Sequence, residues 1–132
     1  MGSIYRESVV EAATDEVWGA LRDVANAADL FPGILTACQL NPPDERVVTF
    51  ANGLVVTERI LAIDDEHRRV AYSARSDNFD HHSASMSVIE AGDDLTRFVW
   101  ITDFLPDQAA PFLEPLINEG LRAFGRRWHA VA

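Results

Sequence analysis

The carboxy-terminal third of the sequence constrains the fold most, because a β-rich stretch is followed by one long helical pattern. Residues 97–104 (RFVWITDF) read as a strand, and Pro106-Asp107 ends it. The residues that then recur at helical spacing are Leu113, Leu116, Ile117, Gly120, Leu121, Phe124 and Trp128. A curved sheet covered by a single helix tends to enclose an interior space, so this order predicts a cavity for a ligand.

The earlier segments read as one strand, two short helices and a series of further strands. Thr14 is the predicted N-cap of the first helix, which ends near Asn26. The second helix, Ala27–Leu30, stops before Phe31-Pro32, because a residue that precedes proline avoids the α conformation. The predicted strands are 4–10, 34–40, 46–51, 54–63, 69–75, 82–90 and 96–104. We therefore predict an α+β fold in one domain over residues 1–132, with a curved antiparallel sheet of about seven strands around a long carboxy-terminal helix.

Asn52-Gly53 is the clearest turn signal, because this pair favours a two-residue β-hairpin loop. Such a loop pairs Val47 with Glu58 and puts Arg46 opposite Arg59 on the other face. Neighbouring residues in a strand point to opposite faces. One of Glu58 and Arg59 must therefore face inward.

Residues 82–90 alternate between two kinds of side chain. His82, Ala84, Met86 and Val88 share one face, and serines occupy most of the other. This alternation is typical of a sheet with one solvated face. It predicts that His82 and its partners lie on the inner face.

Charge and composition limit the partners. The net charge of −10 disfavours nucleic acid and anionic membrane surfaces, which bind clustered Lys and Arg. The lone Cys38 excludes a disulfide within the chain, the amino terminus lacks a signal-peptide pattern, and no apolar run approaches the ~20 residues that span a bilayer. We expect a cytoplasmic monomer or homodimer with no nucleic-acid partner and no membrane insertion.

The order of elements resembles the START/Bet v 1-like helix-grip superfamily, which includes polyketide cyclases, dehydratases and lipid or hormone carriers. The resemblance rests on three segments: residues 14–18 (TDEVW) in the first helix, the short second helix before Phe31-Pro32, and Trp100 with residues 104–106 (FLP) before the last helix. It covers nearly the whole chain. It implies a helix-grip fold with a ligand in an internal cavity.

A more local resemblance connects residues 57–60 (TERI) and 64–69 (DDEHRR) to the plant abscisic-acid receptors. In those receptors the glutamate of this segment points into the hormone pocket, which implies that Glu58 faces the cavity here. The receptors have a proline-containing gate loop where this chain has Asn52-Gly53, and their His-Arg-Leu latch is replaced by residues 80–83 (DHHS). A hormone-receptor function is therefore not expected.

Glu58 and His82 are the candidate acid–base residues. If Glu58 faces the cavity, its apolar neighbours raise the pKa of its carboxyl, which could then act as a general acid or base or accept a hydrogen bond from a ligand hydroxyl. In the cavity His82 would titrate in the physiological range. The alternatives are a surface Glu58 paired across strands and a core His82 with a satisfied ring. His81-His82 is not expected to hold a metal, because consecutive strand residues point apart.

The predicted ligand contacts come from the strands and the last helix. They are Val56, Tyr72, Ala84, Trp100, Asp103, Ile117, Leu121 and Phe124. Tyr72 and Trp100 suit an aromatic or polycyclic ligand, although large rings also serve as plain core. Both faces of the last strand are apolar, so either Trp100 or Asp103 faces the cavity. Asp103 could instead solvate the strand end.

The expected function is the binding of a small hydrophobic or aromatic molecule. The resemblance implies a version with acid–base chemistry of the polyketide cyclase or dehydratase type, which would use no cofactor and no metal. The alternative is a carrier or sensor in which the same polar groups only orient the ligand. A partner-binding module is a third possibility, favoured if side chains of the protein itself fill the cavity.

Overall fold

A computed structural model describes residues 2–131, which form one antiparallel sheet and a helical layer. The strands are Gly2–Val10 (β1), Leu35–Asn41 (β2), Glu45–Phe50 (β3), Val55–Asp64 (β4), Arg69–Arg75 (β5), His81–Gly92 (β6) and Leu95–Leu105 (β7). The helices are Thr14–Arg22 (α1), Ala27–Leu30 (α2) and Ala110–Trp128 (α3), with single 3-10 turns at Val24–Asn26 and Asp107–Ala109. Across the sheet the strand order is β1-β7-β6-β5-β4-β3-β2. The predicted α+β architecture of seven strands and a long terminal helix is confirmed.

The first helix begins one residue earlier than predicted and ends at Arg22 rather than near Asn26. Ala13 occupies the N-cap position, while Thr14 is the first helical residue and its buried hydroxyl hydrogen-bonds the Thr96 hydroxyl at 3.0 Å. Asp23 leaves the helical conformation, with φ −80° and ψ 77°. The chain therefore crosses the inner face of the sheet as a 3-10 turn followed by α2.

The terminal helix packs its apolar face on the sheet. Phe124 is fully buried and stacks on the fully buried Phe98 of β7, with ring centroids 3.9 Å apart. Pro111 lies in the first turn, where its missing N–H costs no hydrogen bond. Arg6 of β1 donates to Asn118 and to Glu114, which fastens the solvent side of the helix to the edge of the sheet.

The β3–β4 hairpin has a three-residue loop, so the predicted register is wrong by one residue. Gly53 adopts φ 91°, and its N–H bonds the Phe50 carbonyl at 2.9 Å. Glycine in this left-handed conformation is typical of a three-residue hairpin loop. As a result Arg46 lies opposite Glu58 rather than opposite Arg59.

Candidate ligand cavity

A cavity of about 60 Å³ lies between the concave face of the sheet, α2 and α3. Its apolar wall consists of Ala27, Phe31, Ile34, Leu35, Val48, Phe50, Met86, Leu116 and Gly120. The remaining lining residues are Arg46, Glu58, Tyr72 and Trp100, which carry polar atoms. The space is sufficient for a few water molecules and smaller than the ~300–1,000 Å³ typical of ligand pockets. It must widen when a ligand of several rings enters.

Arg46 and Glu58 form a buried ion pair in this wall. The Arg46 Nε donates to Glu58 Oε1 at 2.8 Å, and only 7% and 12% of the two side chains is exposed. Burial raises the pKa of the Glu58 carboxyl above its ordinary value, while the charge and hydrogen bond of Arg46 act in the opposite direction. The cavity therefore contains a carboxylate whose proton affinity depends on one guanidinium.

The Arg46 guanidinium also makes two contacts beyond Glu58. Its Nη1 donates to the Val24 carbonyl at 3.0 Å, and its central carbon lies 5.3 Å from the centre of the Tyr72 ring. The second contact is a cation–π arrangement. Arg46 thus connects the sheet, the 3-10 turn at Val24–Asn26 and an aromatic wall of the cavity.

Tyr72 and Trp100 are buried beside the pair, and both carry a polar atom at the cavity. Burial raises the pKa of the Tyr72 hydroxyl, and the negative charge of Glu58 adds to this effect, so the hydroxyl is a hydrogen-bond donor at neutral pH. The Trp100 indole N–H is directed toward the Tyr72 oxygen without reaching hydrogen-bond geometry, and it has no partner within residues 2–131. Buried donors of this kind ordinarily find a partner.

The close approach of α3 to β7 depends on Gly120. A Cβ atom at this position would lie 2.9 Å from Cζ3 of the Trp100 indole. Glycine therefore lets the Trp100 ring pack directly against the helix backbone. The position of that ring sets one boundary of the cavity.

Three of the predicted site residues meet at this cavity, namely Glu58, Tyr72 and Trp100. Trp100 occupies the inner face of β7, whereas Asp103 is exposed on the outer face. The other predicted contacts lie outside the lining. Val56, Ala84, Ile117 and Phe124 are buried in the surrounding core, and Leu121 is half-buried.

His82 lies on the inner face of β6, as the alternation predicts, but toward the end of the sheet and outside the cavity lining. Its ring is 4.8 Å from the Phe79 ring, which also contacts Phe104 and Phe112. Burial lowers the pKa of His82 to about 4, with His81 acting in the same direction. His82 is therefore neutral at physiological pH and packs as part of an aromatic cluster.

Sequence reasoning missed Arg46, because the assumed two-residue loop put it on the other face from Glu58. The signal that could have found it is Gly53, since glycine after Asn52 also suits the left-handed position of a three-residue loop. The contribution of Ala27, Phe31 and Leu35 was missed too. Nothing in their local pattern shows that α2 folds over the open half of the sheet.

Within residues 2–131, no group of three or more His, Cys, Asp or Glu side chains is arranged to hold a metal ion. None of the helices in this range combines the length and apolar character needed to cross a membrane.

The fold is of the START/Bet v 1-like helix-grip type. More specifically, the chain belongs to the polyketide cyclase / dehydrase and lipid transport family, whose model matches residues 1–129. Family membership and fold together indicate a ligand-binding protein. No curated protein matches this sequence.

Solved structures share this fold at low sequence identity. XoxI from Bacillus cereus is 18% identical over 97% of this chain and 96% of its own, with a TM-score of 0.85. A truncated norcoclaurine synthase from Thalictrum flavum is 22% identical over 96% and 89%, with a TM-score of 0.73. A START superfamily protein from Mycobacterium smegmatis is 15% identical over 95% and 92%, with a TM-score of 0.68. At these identities the likeness extends to the fold alone.

Proposed function

We propose that residues 1–132 act as one domain that binds a small hydrophobic or aromatic molecule carrying a hydroxyl or carbonyl group. The observation that carries this proposal is the Arg46–Glu58 pair, buried in a mostly apolar cavity. A buried ion pair is weak evidence for stability, because apolar side chains of similar volume often serve as well. Its presence beside the unpartnered Trp100 N–H is better explained by a ligand that uses these polar groups.

The proposal includes acid–base chemistry of the cyclase or dehydratase type, which the family name supports. Glu58 would take a proton from the carbon next to a ligand carbonyl, while Arg46 and the Tyr72 hydroxyl stabilise the negative charge that develops on the carbonyl oxygen. Return of the proton to a hydroxyl on the β carbon releases water and leaves a carbon–carbon double bond. Burial raises the pKa of the Glu58 carboxyl, and a higher pKa makes its carboxylate a stronger base.

A non-catalytic carrier or sensor is the second candidate. It is favoured because few titratable groups line the cavity. Arg46, Glu58 and Tyr72 are the titratable residues of its lining within residues 2–131. Because His82 lies elsewhere, Glu58 has no second acid–base residue beside it other than Tyr72. In this version the same groups select and orient the ligand.

Ligand binding is tested with a matched pair of compounds, 2-naphthol and 2-methylnaphthalene, in calorimetric titrations. A hydrogen bond to a charged group contributes about 1.5–3 kcal/mol. We therefore expect 2-naphthol to bind more than tenfold more tightly than its methyl analogue. Glu58→Gln should reduce this preference, and His82→Ala should leave it unchanged. Equal affinities for the two compounds in the wild-type protein, or no binding of either, would contradict the proposal.

Catalysis is separated from carriage with an aryl β-hydroxy ketone, whose dehydration to the conjugated enone is followed by ultraviolet absorbance. The enzymatic version predicts acceleration by the wild-type protein and its loss in Glu58→Gln. Binding of the ketone without acceleration would assign the carrier role.

We also propose that the protein is cytoplasmic and that it is a monomer or a homodimer. Light scattering during size-exclusion chromatography measures the oligomeric state, and a trimer or larger assembly would contradict it.

A further inference from the structure

The concave face of the sheet continues past the Arg46–Glu58 pair into a groove that opens to solvent. On β4, Ile60 follows Glu58 on the same face, and Ile63 returns to it after the irregularity in pairing between Ile60 and Ala62. Both isoleucines and Leu40 of β2 line this groove, whose volume is about 370 Å³. The groove is mostly apolar, and its lining is completed by Val24, Pro42, Pro43, Asp44, Glu45, Leu61 and Ala62.

One crossing of the chain separates the groove from the cavity. Val24 lines the groove, whereas Ala27, three residues later, lines the cavity. The Val24 carbonyl accepts a hydrogen bond from Arg46 Nη1 at 3.0 Å, and the Cys38 thiol lies 3.5 Å from the same oxygen. The segment from Val24 to Ala27 therefore lies between the two spaces, and Arg46, which lines the cavity, is hydrogen-bonded to it.

The two volumes suggest why the two spaces would join. The cavity alone is about 60 Å³, while the groove measures about 370 Å³. Ligand pockets usually fall within ~300–1,000 Å³. A site that joined the two spaces would have an ordinary ligand size.

We propose that the groove is the outer half of the ligand site and that Arg46 is the gate between the halves. This inference rests on the proposed function of the cavity. It also defines the ligand class further. Because Glu58 and Arg46 lie at the boundary, the ligand carries its hydroxyl or carbonyl near its middle, with a ring on the cavity side and an apolar chain or further ring on the groove side.

The test uses a homologous series of phenyl alkyl carbinols, from the methyl to the heptyl member, whose affinities are measured by calorimetric titration. The phenyl ring suits the cavity, the hydroxyl reaches Glu58, and the alkyl chain extends into the groove. Burial of one methylene corresponds to about a three- to fourfold gain in affinity. We expect gains of this size for successive members until the chain passes the end of the groove.

Two variants on β4 test where the alkyl chain of the carbinol binds. Ile63 lines the groove and is 40% exposed, and Val55 is 57% exposed on the outer face of the same strand. Ile63→Asp should remove most of the gain with chain length and leave the methyl carbinol unchanged. Val55→Asp is the matched control and should retain the full gain.

Arg46→Lys tests the gate. The lysine ammonium keeps a positive charge beside Glu58 but is too compact to bond the Val24 carbonyl at the same time. Stopped-flow association of the heptyl carbinol should be at least threefold faster than with the wild-type protein. An unchanged association rate would overturn the gate.

The remaining outcomes separate the two proposals. If the carbinols bind and chain length has no effect, or if Ile63→Asp and Val55→Asp behave alike, the groove assignment is overturned and the proposed function stands. If no carbinol binds, the proposed function fails and the inference fails with it.

Discussion

Arg46 shows that the conformation of a single loop residue can decide which side chains share a site. In the left-handed conformation Gly53 extends the hairpin loop to three residues, and every pair between β3 and β4 shifts by one position. When the pairing register shifts by one residue, the side chains of one strand move to the opposite face of the sheet relative to those of its partner. That shift brings the guanidinium to Glu58 inside the cavity instead of to Arg59 at the surface.

Removal of one member of the buried pair should be costly. Arg46→Met leaves the Glu58 carboxylate buried without a counter-charge, and such changes typically cost about 3–5 kcal/mol of unfolding free energy. The double variant Arg46→Met/Glu58→Met should recover most of the loss, because apolar replacements of buried pairs are often neutral. Urea unfolding at pH 7 measures both.

A matched control lies in the same hairpin. Arg59 pairs with Asp44 at 2.9 Å, but 63% of its side chain is exposed. Arg59→Met should cost less than about 1 kcal/mol. Similar losses for Arg46→Met and Arg59→Met would show that burial of the first pair has no energetic consequence.

His82 should make stability depend on pH. Its folded-state pKa is about 4, whereas its ordinary value is 6.5, so between these values the unfolded chain binds the proton and the folded protein does not. Stability is therefore complete above pH 6.5 and decreases as the pH falls toward 4, by up to about 3 kcal/mol. Urea unfolding of the wild-type protein and His82→Gln at several pH values isolates this contribution, because the Glu58 contribution is common to both. Parallel pH profiles would contradict the assignment.

At the scale of elements, the contact between α3 and β7 depends on a glycine that lowers helix propensity. Alanine in place of a helical glycine ordinarily stabilises by about 1 kcal/mol. At Gly120 the added Cβ would displace the Trp100 ring into the cavity. Gly120→Ala should therefore destabilise the protein by about 1–3 kcal/mol and weaken 2-naphthol binding.

Gly19 in α1 provides the control, since a Cβ there meets no atom within 4 Å. Gly19→Ala should stabilise the protein by about 1 kcal/mol without affecting binding. Thermal unfolding and calorimetric titration of both variants make the comparison. If Gly120→Ala stabilises as much as Gly19→Ala and binds 2-naphthol normally, Trp100 does not bound the site.

At the scale of the whole molecule, the cavity exists because one helix does not cover a seven-stranded sheet. The main core joins α1 and α3 to the inner faces of β1, β5, β6 and β7, around Phe98 and Phe124. A second, smaller apolar cluster of Val48, Val56 and Ala74 lies toward the β2 edge. Adjacent strands rotate relative to one another, so a straight helix separates from the sheet as the sheet twists away. The cavity between the helix and the sheet is covered by α2 and by the segment before β2.

Local patterns in the sequence determined most of the architecture. The strand β5 and the helix α2 begin and end as predicted, because proline and polar turn residues mark their ends. Alternation placed Ala84, Met86 and Val88 on the inner face of β6, since burial selects one face of a strand. The inward orientation of Glu58 came from the family resemblance, and its burial agrees.

Tertiary structure decided which of the inward-facing residues line the cavity and which belong to the core. Sequence periodicity shows which face of a strand or helix is buried. It does not show whether that face packs on the core or on a ligand, and Val56, Ala84 and Phe124, which were expected to contact a ligand, are buried in the core. Arg46 entered the site through the conformation of one glycine, and α2 covers it through contacts between segments distant in sequence. The sequence by itself therefore determined a sheet of about seven strands covered by one long terminal helix, and the inward carboxylate followed from the family resemblance. Only the packing of the folded chain decided which residues surround that carboxylate, because such contacts depend on register and twist rather than on local periodicity.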